Sequence, residues 1–170
     1  ADVGSVLVLG LIEREGECFY NTAVAIERGR VIARYRKRHL LDPERTVFAA
    51  GREPAVFDVD DIRVGIAICN DLRSREIVEG AVRAGAKVLV CPCSNRLPRA
   101  AAEAWRFRHH EIRAPLAAAY GVSIVTADIV SERDDWISYG PSAIIDPHGD
   151  TVGQVPLLTE GLVVVDIEKA

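Results

Sequence analysis

From residue 55 to residue 129 the sequence alternates short apolar runs with longer amphipathic ones, an order that few folds accept. Residues 55–59 and 63–69 read as strands joined by an Asp60-Asp61 turn, with Val64, Ile66 and Ile68 alternating with Gly65 and Ala67. A helix is expected next, with Asn70 or Asp71 as its N-cap and Ile77, Ala81 and Ala84 on one face before Gly85 stops it. Residues 87–91 form the following strand. A helical stretch over 99–120 then carries Pro115, where a kink or break is expected, and 122–129 is again a buried strand. Strand, helix, strand, helix, strand predicts a mainly parallel sheet with crossover helices.

The flanks are of another kind. Residues 6–12, 20–26 and 31–35 are apolar or β-branched runs separated by polar turns around Gly16 and Gly29, a strand meander. Residues 37–54 hold Pro43, Gly51 and Pro54 with little periodicity and read as a long loop, the kind of segment that often carries function. Beyond the central section, short strands are expected at 142–146, 151–155 and 162–167, the first two around a Pro147-His148-Gly149 turn.

With 49% hydrophobic and 27% charged residues among 170, the chain has the composition of a folded domain and not of a disordered segment. Its longest charge-free run, 114–127, is short of the roughly 20 apolar residues that cross a bilayer, so no membrane partner is expected. A net charge of -4 with scattered Lys and Arg argues against nucleic acid. No secretory pattern is visible, which makes the cytoplasm the expected compartment. Cys18, Cys69, Cys91 and Cys93 are too few and too irregularly spaced for a disulfide scaffold and are expected to be free thiols.

Cys69 draws attention first, because it ends a buried strand just before the expected helix. A helix N-terminus offers unpaired N–H groups and positive partial charge, which favour a thiolate and an oxyanion. The competing reading is a small buried hydrophobe at a strand end. Lys37, between Arg36 and Arg38 where a strand enters the long loop, is a second candidate, against a reading as a solvated basic edge. Cys91-Pro92-Cys93 has neither redox nor zinc spacing and reads as strand. His39, His109, His110 and His148 make no ligand pattern, so neither a metal nor a cofactor is expected.

Taken together, Tyr35-Arg36-Lys37-Arg38-His39-Leu40 and Gly65-Ile66-Ala67-Ile68-Cys69-Asn70-Asp71 resemble the nitrilase superfamily of carbon-nitrogen hydrolases, where a Tyr-Arg-Lys-x-His-Leu run precedes a Cys-x-Asp elbow. Phe19-Tyr20-Asn21-Thr22-Ala23, the stretch from Phe48 to Pro54, Tyr139-Gly140-Pro141-Ser142 and Ile145-Asp146-Pro147-His148-Gly149 are similar to further family segments, in the family's order. The resemblance implies an α/β fold, a partial α-β-β-α sandwich of mixed sheets with crossover helices, assembled as a homodimer or higher oligomer. It implies Cys69 as nucleophile, Lys37 and the Asn70 N–H as holders of the substrate's oxyanion, and Glu44 as an additional loop carboxylate near the lysine. The substrate it implies is a small linear amide, with nitriles and N-carbamoyl compounds next.

The family's general-base glutamate belongs to a Pro-Glu pair that nothing before Lys37 matches, and Glu13 and Glu15 do not take its place. Arg75-Glu76 stands where a Pro-Glu is usual, and Leu116-Ala117-Ala118-Ala119-Tyr120 replaces a frequent helix end. Residues 1–170 are therefore expected to be one hydrolase domain, incomplete at the N-terminus and also at the C-terminus. The alternative function is that of a non-catalytic fragment acting only in protein association through bared sheet edges.

Overall fold

The computed structural model describes residues 5–167, in two compact units that meet in sequence between Pro92 and Cys93. In the first unit β1 (Leu7–Glu15), β2 (Cys18–Glu27) and β3 (Arg30–Arg36) form an antiparallel sheet in that order, the meander expected from the sequence. Its hairpins are tight because Gly16 and the Arg28-Gly29 pair take positive φ. The middle strand is buried from Thr22 to Ala25, whereas Leu7, Leu9 and Leu11 stay exposed along one face of the edge strand β1.

The long loop after β3 is stitched back onto this sheet. It holds a 3-10 turn over Glu44–Thr46, the Ala49 N–H donates to the Phe19 carbonyl (2.8 Å), and the Gly51 N–H donates to the Lys37 carbonyl (2.8 Å). Gly51 has to be glycine for a steric reason: a Cβ there would lie 2.1 Å from the Arg36 carbonyl oxygen. Gly51→Ala must push the loop off β3, at about 2 kcal/mol for overpacking, which lowers the melting temperature by roughly 6 °C in a chain of this size. A thermal melt equal to that of the unsubstituted protein contradicts the close approach.

β4 (Val56–Val59) and β5 (Ile62–Ile66) pair antiparallel, and β5 pairs parallel with β6 (Val88–Cys93) in the register Val64↔Val88, Gly65↔Leu89, Ile66↔Val90. Between them runs the crossover helix α1 (Arg75–Arg83), with Ile77, Val78 and Ala81 buried and Gly85 at φ 93 just past its end.

The second unit contains β7 (Leu97–Pro98), α2 (Arg99–Trp105), α3 (Arg108–Tyr120), β8 (Ser123–Asp128), β9 (Val130–Arg133), β10 (Trp136–Tyr139), β11 (Ala143–Ile145) and β12 (Thr151–Gln154). β10 lies between β7 and β9, β11 lies between β8 and β12, and all four pairings are antiparallel. The β5–β6 pair across α1 is parallel, as the central section predicts, and the antiparallel pairs of the second unit make the sheets mixed, as the fold class requires.

Two local expectations are corrected, and one hairpin is added. The helical stretch 99–120 breaks at Arg106-Phe107 and not at Pro115, which lies inside α3. Proline removes only one helix bond of its own, whereas the Arg106 N–H closes on the Glu103 carbonyl three residues back (3.2 Å) and ends α2. Residues 162–167 form no strand; Leu162 and Val164 are largely exposed, and β-propensity alone does not make a ladder. The β9–β10 hairpin, unexpected from sequence, turns on Asp134 at φ 56 between strands of only four residues, too short for a periodicity to stand out.

Candidate active site

All four residues singled out from the sequence lie in the first unit. Lys37 follows β3 directly, and its backbone is held from two sides: its N–H donates to the Asn21 carbonyl (2.8 Å) and its carbonyl accepts from Gly51. Only 2% of the residue is exposed. A buried ammonium is costly without a counter-charge, and Glu44 from the loop's 3-10 turn supplies it, with Nζ donating to Oε1 at 2.6 Å and Oε2 at 2.7 Å. The Asn21 amide (3.3 Å) and the Leu41 N–H (2.8 Å) also donate to Glu44, so the carboxylate is oriented before any ligand arrives.

Cys69 is partly exposed and takes φ 47, the left-handed region, at an order-of-magnitude cost of about 1–3 kcal/mol for a residue with a side chain. It does not open the expected α-helix. Cys69–Arg73 is a five-residue 3-10 turn, and α1 begins only at Arg75 after Ser74, without a side-chain cap. The helix macrodipole invoked from sequence is therefore absent at Cys69, because Asp71 is used differently. The Asp71 N–H donates to the Ile68 carbonyl (3.0 Å), and the Ile68 N–H donates to Asp71 Oδ2 (2.9 Å). This reciprocal pair closes a small ring around Cys69 and Asn70. Asn70 is buried, with its amide reaching the His39 carbonyl at 3.5 Å.

Asp71 itself is fully buried and also accepts from the Tyr35 hydroxyl (2.9 Å), the His39 N–H (2.7 Å) and the Arg38 N–H (3.3 Å). Burial pushes its carboxyl up, while the N–H groups of His39 and Ile68 and the Tyr35 hydroxyl pull the other way. Tyr35 is pushed far above the usual phenol range by burial and by the Asp71 charge, which keeps its hydroxyl a donor. Sequence reasoning named Tyr35 and Asp71 only as motif letters. Their bond, across 36 positions, left no signal beyond the occurrence of both motifs.

Glu13 and Glu15 are engaged elsewhere. Glu13 accepts from Arg36, Arg34 and Thr22, and the Arg36 hydrogen bond holds its carboxyl down at about 2 against partial burial. Glu15 pairs with Arg36 (3.0 Å), whose guanidinium lies 3.8 Å over the Tyr20 ring. In the second unit Asn95 turns the chain by donating its N–H (3.0 Å) and its amide to Asp128. Arg113 is buried and donates to the Pro141 carbonyl at 2.7 Å, and burial, with Arg113 beside it, lowers His109 to about 4. Cys91 and Cys93 are buried thiols outside any disulfide, and Cys18 is an exposed one. Among the described residues no group of three His, Cys, Asp or Glu is placed to hold a metal.

The arrangement unites a partly exposed thiol on a strained turn with a buried, carboxylate-paired lysine on a neighbouring segment, and joins the two through one carboxylate. That is equipment for attack at a polarised carbon and for holding the charge that develops on its oxygen or nitrogen.

Comparison with known proteins agrees with the sequence motifs. A family model described as carbon-nitrogen hydrolase matches residues 1–170. A nitrilase of Pyrococcus abyssi is 31% identical over 168 residues, which cover 98% of this chain and 61% of the nitrilase. A glutamine-dependent NAD(+) synthetase of Rhodobacter capsulatus is 27% identical over 154 residues, 88% of this chain and 27% of that protein. In fold, the chain is similar to an amidase of Nesterenkonia AN1 from the nitrilase superfamily, with a TM-score of 0.80 at 23% identity, over 92% of this chain and 59% of the amidase. The chain thus spans about three fifths of the nitrilase and of the amidase, and a smaller share of the synthetase. From its ordered motifs, its mixed α/β fold and the match along its whole length, the chain belongs to the carbon-nitrogen hydrolase family, and its fold is that of the nitrilase superfamily.

Proposed function

We propose that the protein hydrolyses a small linear amide through a covalent intermediate on Cys69, with nitriles and N-carbamoyl compounds as the next substrate classes. The observation that carries this reading is the buried Lys37–Glu44 pair on the segment that Asp71 ties to the Cys69 elbow. The Cys69 thiolate attacks the carbonyl carbon, a C–S bond forms, and the negative charge on the substrate oxygen falls to Lys37 Nζ and the Asn70 N–H. Collapse breaks the C–N bond, the leaving nitrogen takes up a proton, and water then cleaves the thioester to acid and free thiol. The resemblance gives the proton relay to a glutamate that no residue of this chain matches. Similarity to glutamine-dependent NAD(+) synthetases makes the side-chain amide of glutamine a substrate to include in any assay.

The test uses Cys18 as an internal reference, since it is an exposed thiol in the same chain. Iodoacetamide labelling of both residues is followed by peptide mass spectrometry from pH 5 to 9. An ordinary thiol with a pKa near about 8.5 is almost wholly protonated at pH 6. Cys69 is expected to label more readily there than Cys18. Superimposable pH profiles overturn the reading and leave the non-catalytic alternative.

A further inference from the structure

We infer that Asp71 is the positioning residue of this site: its buried carboxylate holds the Cys69 elbow in its left-handed turn and locks that elbow to the segment carrying Lys37. The inference rests on Cys69 being the reacting thiol. Its warrant is the distribution of donors over the two carboxylate oxygens. Oδ2 receives the Ile68 N–H (2.9 Å), from the residue before Cys69, and the Tyr35 hydroxyl (2.9 Å), two residues before Lys37. Oδ1 receives the His39 N–H (2.7 Å) and the Arg38 N–H (3.3 Å), just after Lys37. One rigid group of two oxygens therefore grips the lysine segment on both sides of Lys37 and grips the elbow on the N-terminal side of Cys69.

Four donors match the acceptor capacity of an ionised carboxylate, which has about four lone-pair sites and no proton of its own. A carboxylic acid fits only if the Tyr35 hydroxyl turns round to accept from it, and an amide must set its NH2 against at least one backbone N–H. A side chain present only to stabilise the core would not need this charge, because a buried carboxylate is more costly than a neutral isostere with fewer donors around it. The charge becomes useful where two backbone segments, more than thirty positions apart, have to keep one relative placement. A misplacement of about 1 Å in such a site costs on the order of 100-fold in rate.

Asp71→Asn separates the roles, since its single oxygen can serve only one side. With the amide oxygen toward His39 and Arg38, the NH2 faces the Ile68 N–H and the elbow is released; with the amide reversed, the lysine segment is released. Ammonia release from a small amide, measured on the protein expressed from its native gene, should show kcat lowered about 100-fold with KM changed by less than about threefold. Labelling of Cys69 should also shift toward the pH profile of Cys18. Tyr35→Phe removes one of the four donors and should lower kcat by a smaller factor, about tenfold, without a change in KM.

A folded Asp71→Asn variant with unchanged kcat and an unchanged Cys69 labelling profile overturns the inference. If Asp71→Asn does not fold, Tyr35→Phe decides the matter, because a melting temperature that falls with kcat unchanged means a purely structural role and also overturns it. Failure of the underlying reading looks different: Cys69 of the unsubstituted protein then labels like Cys18, which overturns both.

Discussion

Cys69→Ala is expected to abolish ammonia release from a small amide, by at least about 10⁴-fold, with the fold intact by circular dichroism. The nucleophilic sulfur is the one atom in the proposed reaction that no neighbour replaces, and the side chain is partly exposed, so its loss leaves little cavity. A companion variant sharpens the result. Cys69 has φ 47, a conformation that glycine adopts freely, so Cys69→Gly should match or exceed the alanine variant in stability by about 1 kcal/mol while being equally inactive. Stability gained as activity disappears is the signature of strain kept for function. Ammonia release surviving in either variant at more than a trace ends the assignment of Cys69.

Glu44→Gln is the second large effect, and it reaches stability and rate together. Lys37 is buried and directs its ammonium to both Glu44 oxygens, so the amide leaves a buried charge facing a nitrogen that cannot accept from it. Removing one partner of a buried ion pair costs about 3–5 kcal/mol, and the lower end applies here because Glu44 keeps 20% of its side chain exposed. A fall in melting temperature of roughly 9 °C follows for about 3 kcal/mol in a chain of this size. If Lys37 carries the developing oxyanion charge, kcat falls by a further factor on the order of 10²–10³. Lys37→Met tests the other half. It deletes the buried charge and leaves Glu44 able to draw in water, so it should cost less stability than Glu44→Gln and yet more activity. The double variant Lys37→Met/Glu44→Gln should recover part of the stability and none of the activity, as coupled partners require. Unchanged melting in Glu44→Gln rules out the ion pair as a structural element.

What was legible before the fold was known followed from local chemistry. The strands of the first unit were readable because their apolar residues recur at short spacing between polar turns. The order of the Lys37 and Cys69 motifs pointed to the family, and Glu44 followed by resemblance. The turn after Cys69 was not legible. Asn70, Asp71 and Ser74 are all good capping residues, and local propensity starts a helix among them. Asp71 instead turns back to Ile68 and across to Tyr35 and His39, a preference set by donors more than thirty positions away.

The same division holds elsewhere in the chain. Pro115 was the obvious place for a helix to fail, yet the break fell at Arg106-Phe107, and residues 162–167 had a strand's composition but formed no strand. Sequence alone determined which residue types are present and which short segments prefer to extend or coil, because those depend on side chains within a few positions. Tertiary structure alone decided that Lys37 would be buried, and that one carboxylate would hold Cys69 in a strained turn. Burial and counter-charge are properties of what surrounds a group, and those surroundings come from distant parts of the chain.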